Sequence, residues 1–376
     1  MKILFTGGGT GGHVYPAIAI AKTIKSRCPD AEIAFVGTSK GIENKICQKE
    51  GFPIYHVEIM GVKRSLSLSN AKALYYCVTS PGKAKKIIDE FKPDAVIGTG
   101  GYVCWPTCKA ASKAGIPTVL HESNAFPGLA VKKLQDHVDK ILLNFSECAN
   151  GIKSKNSDKL LTVGNPLRND FSTLKKEKAR ELLGITGSKT KVVLSYGGSR
   201  GAGKVNETVV ELMRLCTAED PDVIHIHATG EIGKEKFKEK FKEYGLDSYS
   251  NLCVYDYIED MPVKMAAADV VICRAGAMTV SEIALMGKTA IFIPSPNVTD
   301  NHQYKNAKVL ADKDAAVVIE EKDLTPERLA EKVRELLKDD KKREEMSLRV
   351  REFSDPNANA KIYDEIVRLI KEKNRV

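Results

Sequence analysis

Short apolar runs rich in β-branched residues alternate with amphipathic stretches along the whole chain, and glycine clusters stand directly after several of these runs. Such alternation is the signature of parallel sheets covered by helices on both faces. Lys2–Thr6, Glu32–Gly37, 95–99, 117–121 and 140–144 read as buried strands. A second series follows at 192–196, Val223–Ala228, Leu252–Tyr255, 270–274, 290–294 and 316–319. Helical spacing recurs at 18–27, 81–91 and 327–337, and after Pro356 a last helix aligns Ile362, Ile366, Leu369 and Ile370 on one stripe. The expected fold is α/β, with two Rossmann-like doubly wound domains facing a cleft. The join falls near 161–167, where Val163-Gly-Asn-Pro166 breaks the pattern.

A chain of 376 residues is long enough for two cores, and 43% hydrophobic with 28% charged residues fits a globular protein. No stretch approaches the roughly 18 uninterrupted apolar residues of a membrane-spanning helix. The chain opens directly on a strand, so no secretory leader is expected, and the cytoplasm is the expected compartment. Nine cysteines show no zinc spacing, Cys104 and Cys108 forming only a CxxxC pair; reduced, mostly buried thiols are expected. The net charge of +9 sits in one half: residues 1–163 carry 22 Lys and Arg against 13 Asp and Glu, and the remainder carries 36 of each. That asymmetry points to a polyanionic partner for the first half, an anionic membrane surface or nucleic acid.

In doubly wound sheets ligands bind beyond the carboxyl ends of the strands, and the glycine clusters at 7–12, 98–101 and 197–201 all stand there. Gly7-x-Gly9-x-x-Gly12 fits the dinucleotide fingerprint formally, but the second strand ends in Gly37-Thr38 where a ribose-binding acid belongs. Gly198-Ser-Arg-Gly-Ala-Gly203-Lys204 is close to a P-loop, yet Val205 replaces the hydroxyl that would hold Mg²⁺. The DxD pairs Asp220/Asp222 and Asp312/Asp314 precede strands, away from the ligand edge, and His225 and His227 share one strand face as packing residues. Metal is therefore not expected, nor any other cofactor. A leaving diphosphate would be stabilised by helix N-termini, hydroxyls and arginine. His13 follows the first glycine run where a helix begins, and an imidazole there is a proton acceptor near neutral pH.

Residues 60–76 interleave Lys63, Arg64 and Lys72 with Leu66, Leu68, Leu74, Tyr75 and Tyr76, which suits a loop at an anionic lipid surface. The basic run at 83–86 and the sole tryptophan, Trp105, lie in the same half. No nucleic-acid-binding motif accompanies the charge, so nucleic acid is not expected. On the ligand side, His121-Glu-Ser-Asn124 ends a strand, Gly164-Asn-Pro-Leu-Arg168 lies at the join, and Glu282 stands inside a helix, too far from its start to be a cap.

Together these segments resemble the MurG-type N-acetylglucosaminyltransferases of peptidoglycan synthesis. The resemblance rests on residues 7–13, Gly98-Thr-Gly-Gly-Tyr102, 121–124, 164–168, 197–202, Tyr257-Ile-Glu-Asp-Met261 and Arg274-Ala-Gly-Ala-Met-Thr-Val-Ser-Glu282, in family order over nearly the whole chain. It implies a GT-B fold, with residues 1–163 plus 353–376 as the acceptor and membrane-facing domain and 164–352 as the donor domain. It implies inverting transfer of GlcNAc from UDP-GlcNAc to the muramyl C4 hydroxyl of lipid I at the cytoplasmic membrane face. By position, His13 would be the general base. Thr10, Gly11, Gly12 and Asn124 would face the donor sugar and diphosphate, and Arg168 and Ser199 would contact phosphate. The Ile258 backbone would read uracil, the amides of Ala277, Met278 and Thr279 would line the diphosphate, Glu282 would hold the ribose, and Gln303 would touch GlcNAc. Lys63, Arg64, Leu66, Leu68, Leu74, Tyr75, Tyr102 and Trp105 would serve membrane or acceptor. The chain departs from the family with Ser123, Arg200 and His302 where glutamine is frequent, and with Trp105 where a small residue is usual. The residues alone leave open a GT-B enzyme with another acceptor, a UDP-GlcNAc epimerase, or a non-catalytic sugar-nucleotide-binding protein. The first two would not need the 60–76 surface, and the third would tolerate loss of His13.

Overall fold

A computed structural model describes residues 1–61, 68–187 and 189–373. The chain divides into two units, Met1–Leu167 with Asp355–Val376, and Arg168–Ser354. The first contains β1 (Lys2–Thr6), β2 (Glu32–Gly37), β3 (Ile54–His56), β4 (Ala95–Gly98), β5 (Thr118–Glu122), β6 (Lys140–Leu143) and β7 (Leu160–Thr162). These strands pair in parallel in the order β3-β2-β1-β4-β5-β6-β7. Successive side chains leave opposite faces of a strand, so both faces must be apolar. Ile3 and Phe5 enter one core with Ile33, Phe35, Ile97 and the helices Gly11–Arg27 and Ala358–Lys373. Leu4, between them, enters the other with Val36, Val96, Leu120 and residues of the helices Leu68–Phe91 and Cys104–Lys113.

The second unit contains β8 (Lys191–Tyr196), β9 (Val223–Ala228), β10 (Leu252–Tyr255), β11 (Val270–Cys273), β12 (Thr289–Phe292) and β13 (Val317–Val318), in the order β10-β9-β8-β11-β12-β13. Each sheet thus runs outward from its first strand and then reverses. The reversal lies between β1 and β4 in one unit and between β8 and β11 in the other, and at such a point the loops part to admit a ligand.

Several expectations change. The three-residue edge strands β3 and β7 carry no long apolar run and escape a pattern search. The helix expected at 81–91 begins at Leu68, with Pro81 inside it. Two side-chain bonds hold its middle: Ser80 Oγ donates to the Glu58 carbonyl, and Trp105 Nε1 donates to the Cys77 carbonyl at 3.0 Å. Residues 164–167, assigned from sequence to the second domain, belong to the first unit. His121 Nε2 bonds the Gly164 carbonyl at 3.0 Å, and Asn359 Nδ2 donates to the Leu167 carbonyl at 2.8 Å. His225 and His227, by contrast, are the buried packing residues expected, bridged by Ser195 Oγ at 2.8 Å from each, and burial pushes both imidazoles down to about 3.

Candidate active site

In the first unit the ligand edge is built from three strand ends. After β1 the chain turns through residues 7–10 into the helix Gly11–Arg27, which places Thr10 at its N-cap and His13 in its first turn. Thr10 and Gly12 are exposed, Gly11 and His13 half-buried. The His13 carbonyl accepts from Thr99 Oγ1 at 2.6 Å. Gly100 follows with φ of +113°, and a Cβ there would press into the imidazole, with Cε1 at 2.7 Å. The Gly8 N–H donates to the Gly100 carbonyl at 3.4 Å, so the two glycine loops are tied and the His13 ring stands against the second. A Gly100→Ala chain meets both the left-handed backbone and the ring. Its kcat is expected to fall about tenfold or more, against a modest change in thermal midpoint, measured by transfer kinetics and circular dichroism.

Tyr102, 39% exposed, lies over Gly9 and Gly61, 3.2 Å and 3.4 Å from where their Cβ atoms would be. At the end of β5, Glu122 is buried and its Oε1 accepts both the backbone N–H of Asn124 (3.0 Å) and its Nδ2 (2.9 Å), while Oε2 takes the Gly128 N–H at 2.7 Å. Burial raises the Glu122 carboxyl, and these donors pull it back. Sequence reading gave Glu122 no role, yet it sets the orientation of the Asn124 amide. Its only local signal is an acid ending an otherwise apolar strand.

The expected membrane residues divide. Lys63, Arg64 and Leu66 lie outside the described residues, as does the Leu68 side chain. Leu74, Tyr75 and Val78 are 65%, 63% and 75% exposed on one face of the helix Leu68–Phe91. This is a helix face, not the expected loop. Trp105 belongs beneath it: half-buried, with its indole N–H spent on Cys77 and Lys109 Nζ 5.7 Å from the ring centroid. The run at 83–86 is partly neutralised, Lys83 pairing with Glu58 and Lys85 with Asp89.

In the second unit the reversal point carries the other set. Gly276 caps the helix Ala277–Met286, and nothing lies within 4 Å of the position a Cβ would take there. Ala277, Met278 and Thr279 form the first turn at this unobstructed end, and a helix N-terminus is favourable for a phosphate. Glu282 is half-buried further along this helix. Burial raises its carboxyl to about 8, the Arg168 guanidinium opposing and Asp170 reinforcing the shift. Arg168, expected to reach phosphate, makes a bidentate pair with Asp170 at 3.1 Å and 2.6 Å. Ser199 is exposed in the turn after β8, closed by the Gly201 N–H on the Gly198 carbonyl at 2.9 Å. Ile258 is buried beside exposed Tyr257 beyond β10. Gln303 Oε1 accepts the Ser295 N–H at 2.9 Å, which fixes the amide after β12.

Sequence reading also passed over Arg274 as a structural tie. Its Nη1 donates to the carbonyls of Ile293 (3.1 Å) and Pro294 (3.2 Å), and its Nη2 pairs with Glu321. It thereby joins the end of β11 to the turn leading toward Gln303. Among the described residues no three His, Cys, Asp or Glu side chains gather as a metal site, and no helix is long and apolar enough to cross a membrane.

Residues 3–143 match the glycosyltransferase family 28 N-terminal domain and residues 192–362 its C-terminal domain. The chain belongs to glycosyltransferase family 28. Within family 28 it is 43% identical over 373 residues to the UDP-N-acetylglucosamine--N-acetylmuramyl-(pentapeptide) pyrophosphoryl-undecaprenol N-acetylglucosamine transferase of Acetivibrio thermocellus, covering 99% of both chains. The Bacillus subtilis protein of the same name is 39% identical over 99% of this chain and all of its own. Among solved structures, Acinetobacter baumannii MurG matches with a TM-score of 0.78 at 30% identity, covering 98% of this chain and 99% of that one. A UDP-GlcNAc 2-epimerase from Neisseria meningitidis, 15% identical with a TM-score of 0.68, shares the fold. This family 28 chain is a glycosyltransferase of the MurG group, with two parallel-sheet Rossmann-like domains.

Proposed function

We propose that the chain transfers GlcNAc from UDP-GlcNAc to the C4 hydroxyl of the muramyl sugar of lipid I, giving lipid II for peptidoglycan synthesis. The observation that carries this reading is likeness over 99% of the chain to transferases bearing that name. The chain also carries side chains whose chemistry suits that reaction. His13 takes the proton of the acceptor hydroxyl as its oxygen attacks C1 of GlcNAc from the face opposite the diphosphate. The C1–O bond to UDP breaks, UDP leaves with the electron pair, and the anomeric centre inverts. The amides of Ala277, Met278 and Thr279, with Ser199 and Arg168, take up the charge of the leaving diphosphate without a metal ion. Glu282 receives the ribose hydroxyls, Ile258 borders the uracil, Gln303 contacts GlcNAc hydroxyls, and Thr10, Gly11, Gly12 and Asn124 face the donor sugar and diphosphate.

The test is transfer of radiolabel from UDP-GlcNAc to a short-chain lipid I analogue. Label in the analogue is expected. Its absence, or conversion of the donor to its C2 epimer instead, overturns the reading.

The exposed Leu74, Tyr75 and Val78 face, in the half that carries the net positive charge, supports docking on the anionic cytoplasmic leaflet that displays the acceptor. Basic groups near such a surface contribute about 1 kcal/mol each, an effect that salt screens. Co-sedimentation with phosphatidylglycerol vesicles is expected to fall as salt rises, and to fall further in a Leu74→Ser/Tyr75→Ser chain. Binding indifferent to both would remove the membrane assignment.

A further inference from the structure

Glu43 belongs to none of the motifs above, yet it is 1% exposed and lies under the first glycine loop. Its Oε1 accepts the Thr38 N–H at 2.8 Å and Thr38 Oγ1 at 2.9 Å, and its Oε2 accepts the Gly9 N–H at 3.2 Å. Glycines clear the space for it: a Cβ at Gly8 would stand 2.8 Å from the Glu43 carboxyl carbon, and one at Gly41 would overlap the carboxylate. Among the described residues no lysine, arginine or histidine pairs with it within 4.0 Å. A buried carboxylate held only by neutral donors is costly to keep, and here those donors join the end of β2 to the loop after β1. The Gly9 amide is thereby occupied.

We propose that Glu43 is a positioning residue for His13, an inference that rests on His13 being the general base. The contacts form a continuous path. Glu43 accepts the Gly9 N–H, the adjoining Gly8 donates to the Gly100 carbonyl, and Gly100 is the wall against which the imidazole stands. Loss of the carboxylate lets the loop and its partner relax, and the ring moves with them.

The experiment is a double-mutant cycle on the full chain, with GlcNAc transfer to the short-chain lipid I analogue as readout. Glu43→Ala is expected to lower kcat about thirtyfold, the scale of a sub-ångström misplacement of a catalytic group, with KM for UDP-GlcNAc within about twofold. Glu43→Gln keeps an acceptor oxygen and is expected to recover to within about fivefold of the parent. In a His13→Ala background, Glu43→Ala is expected to cost less than about threefold more, because coupled residues are not additive. Additive losses, or a loss that tracks only the folded fraction, overturn the positioning role. A parent-like rate in the His13→Ala chain removes the general-base assignment and this inference with it, while label transfer by the parent still supports the activity. If Glu43→Ala does not fold, the cycle run with Glu43→Asp, whose shorter side chain withdraws the carboxylate from the Gly9 amide, reads the same coupling.

Discussion

A His13→Ala chain is expected to transfer GlcNAc with kcat lowered about 10² to 10⁴-fold, the contribution of a placed general base, and with KM for UDP-GlcNAc nearly unchanged. The fold should tolerate the change. The contact that His13 makes with Thr99 Oγ1 uses its carbonyl, which alanine retains, and alanine is compatible with a helix. Loss of the ring leaves the wall at Gly100 intact and empties the space in front of it. Imidazole added to the assay is then expected to restore part of the rate, which a misfolded variant would not show. Steady-state kinetics with and without imidazole check both statements, and an unchanged kcat would reassign the base.

The second large effect is expected at Glu282. Replacing it with alanine should raise KM for UDP-GlcNAc on the order of a hundredfold, the equivalent of one or two hydrogen bonds to a charged acceptor. Its pH dependence has a definite sign. Burial raises the carboxyl from 4.5 to about 8, so at neutral pH the donor-free chain carries it protonated. A protonated carboxyl accepts the two ribose hydroxyls less well than a carboxylate. KM should therefore fall as pH rises toward and through about 8, and a Glu282→Gln chain should lose that slope. Stability runs the other way. The folded chain holds a proton that the unfolded chain has lost between 4.5 and about 8, so the donor-free thermal midpoint should decline across that window as pH rises. Initial rates and melting curves over the same pH series check both halves.

Much of the fold is legible because buried parallel strands must be apolar on both faces. Lys2–Thr6 and Glu32–Gly37 are found within the bounds their Val, Ile and Phe content predicts. Edge strands escape this logic: Ile54–His56 and Leu160–Thr162 are half-exposed and too short to show a period. Pro81 misleads for a related reason, since local propensity places a helix start at a proline that tertiary bonds at Ser80 and Cys77 carry inside a helix. The glycine loops and His13 announce themselves by composition. Glu43 and Glu122 do not, because an acid in mid-sequence looks the same whether solvent or a ring of backbone amides surrounds it. Only the folded backbone brings those donors together.

The helix Ala358–Lys373 buries Ile362, Ile366 and Leu369 in the core that also holds Ile3 and Phe5. The strand Lys2–Thr6 therefore waits for the helix Ala358–Lys373 before its core closes. A nascent chain that has reached Leu167 exposes an apolar groove throughout the synthesis of the 168–354 stretch, which is continuous and has its own core. Chaperone dependence should concentrate in that interval, and a premature stop anywhere beyond it but before residue 358 should yield aggregation instead of a shortened enzyme.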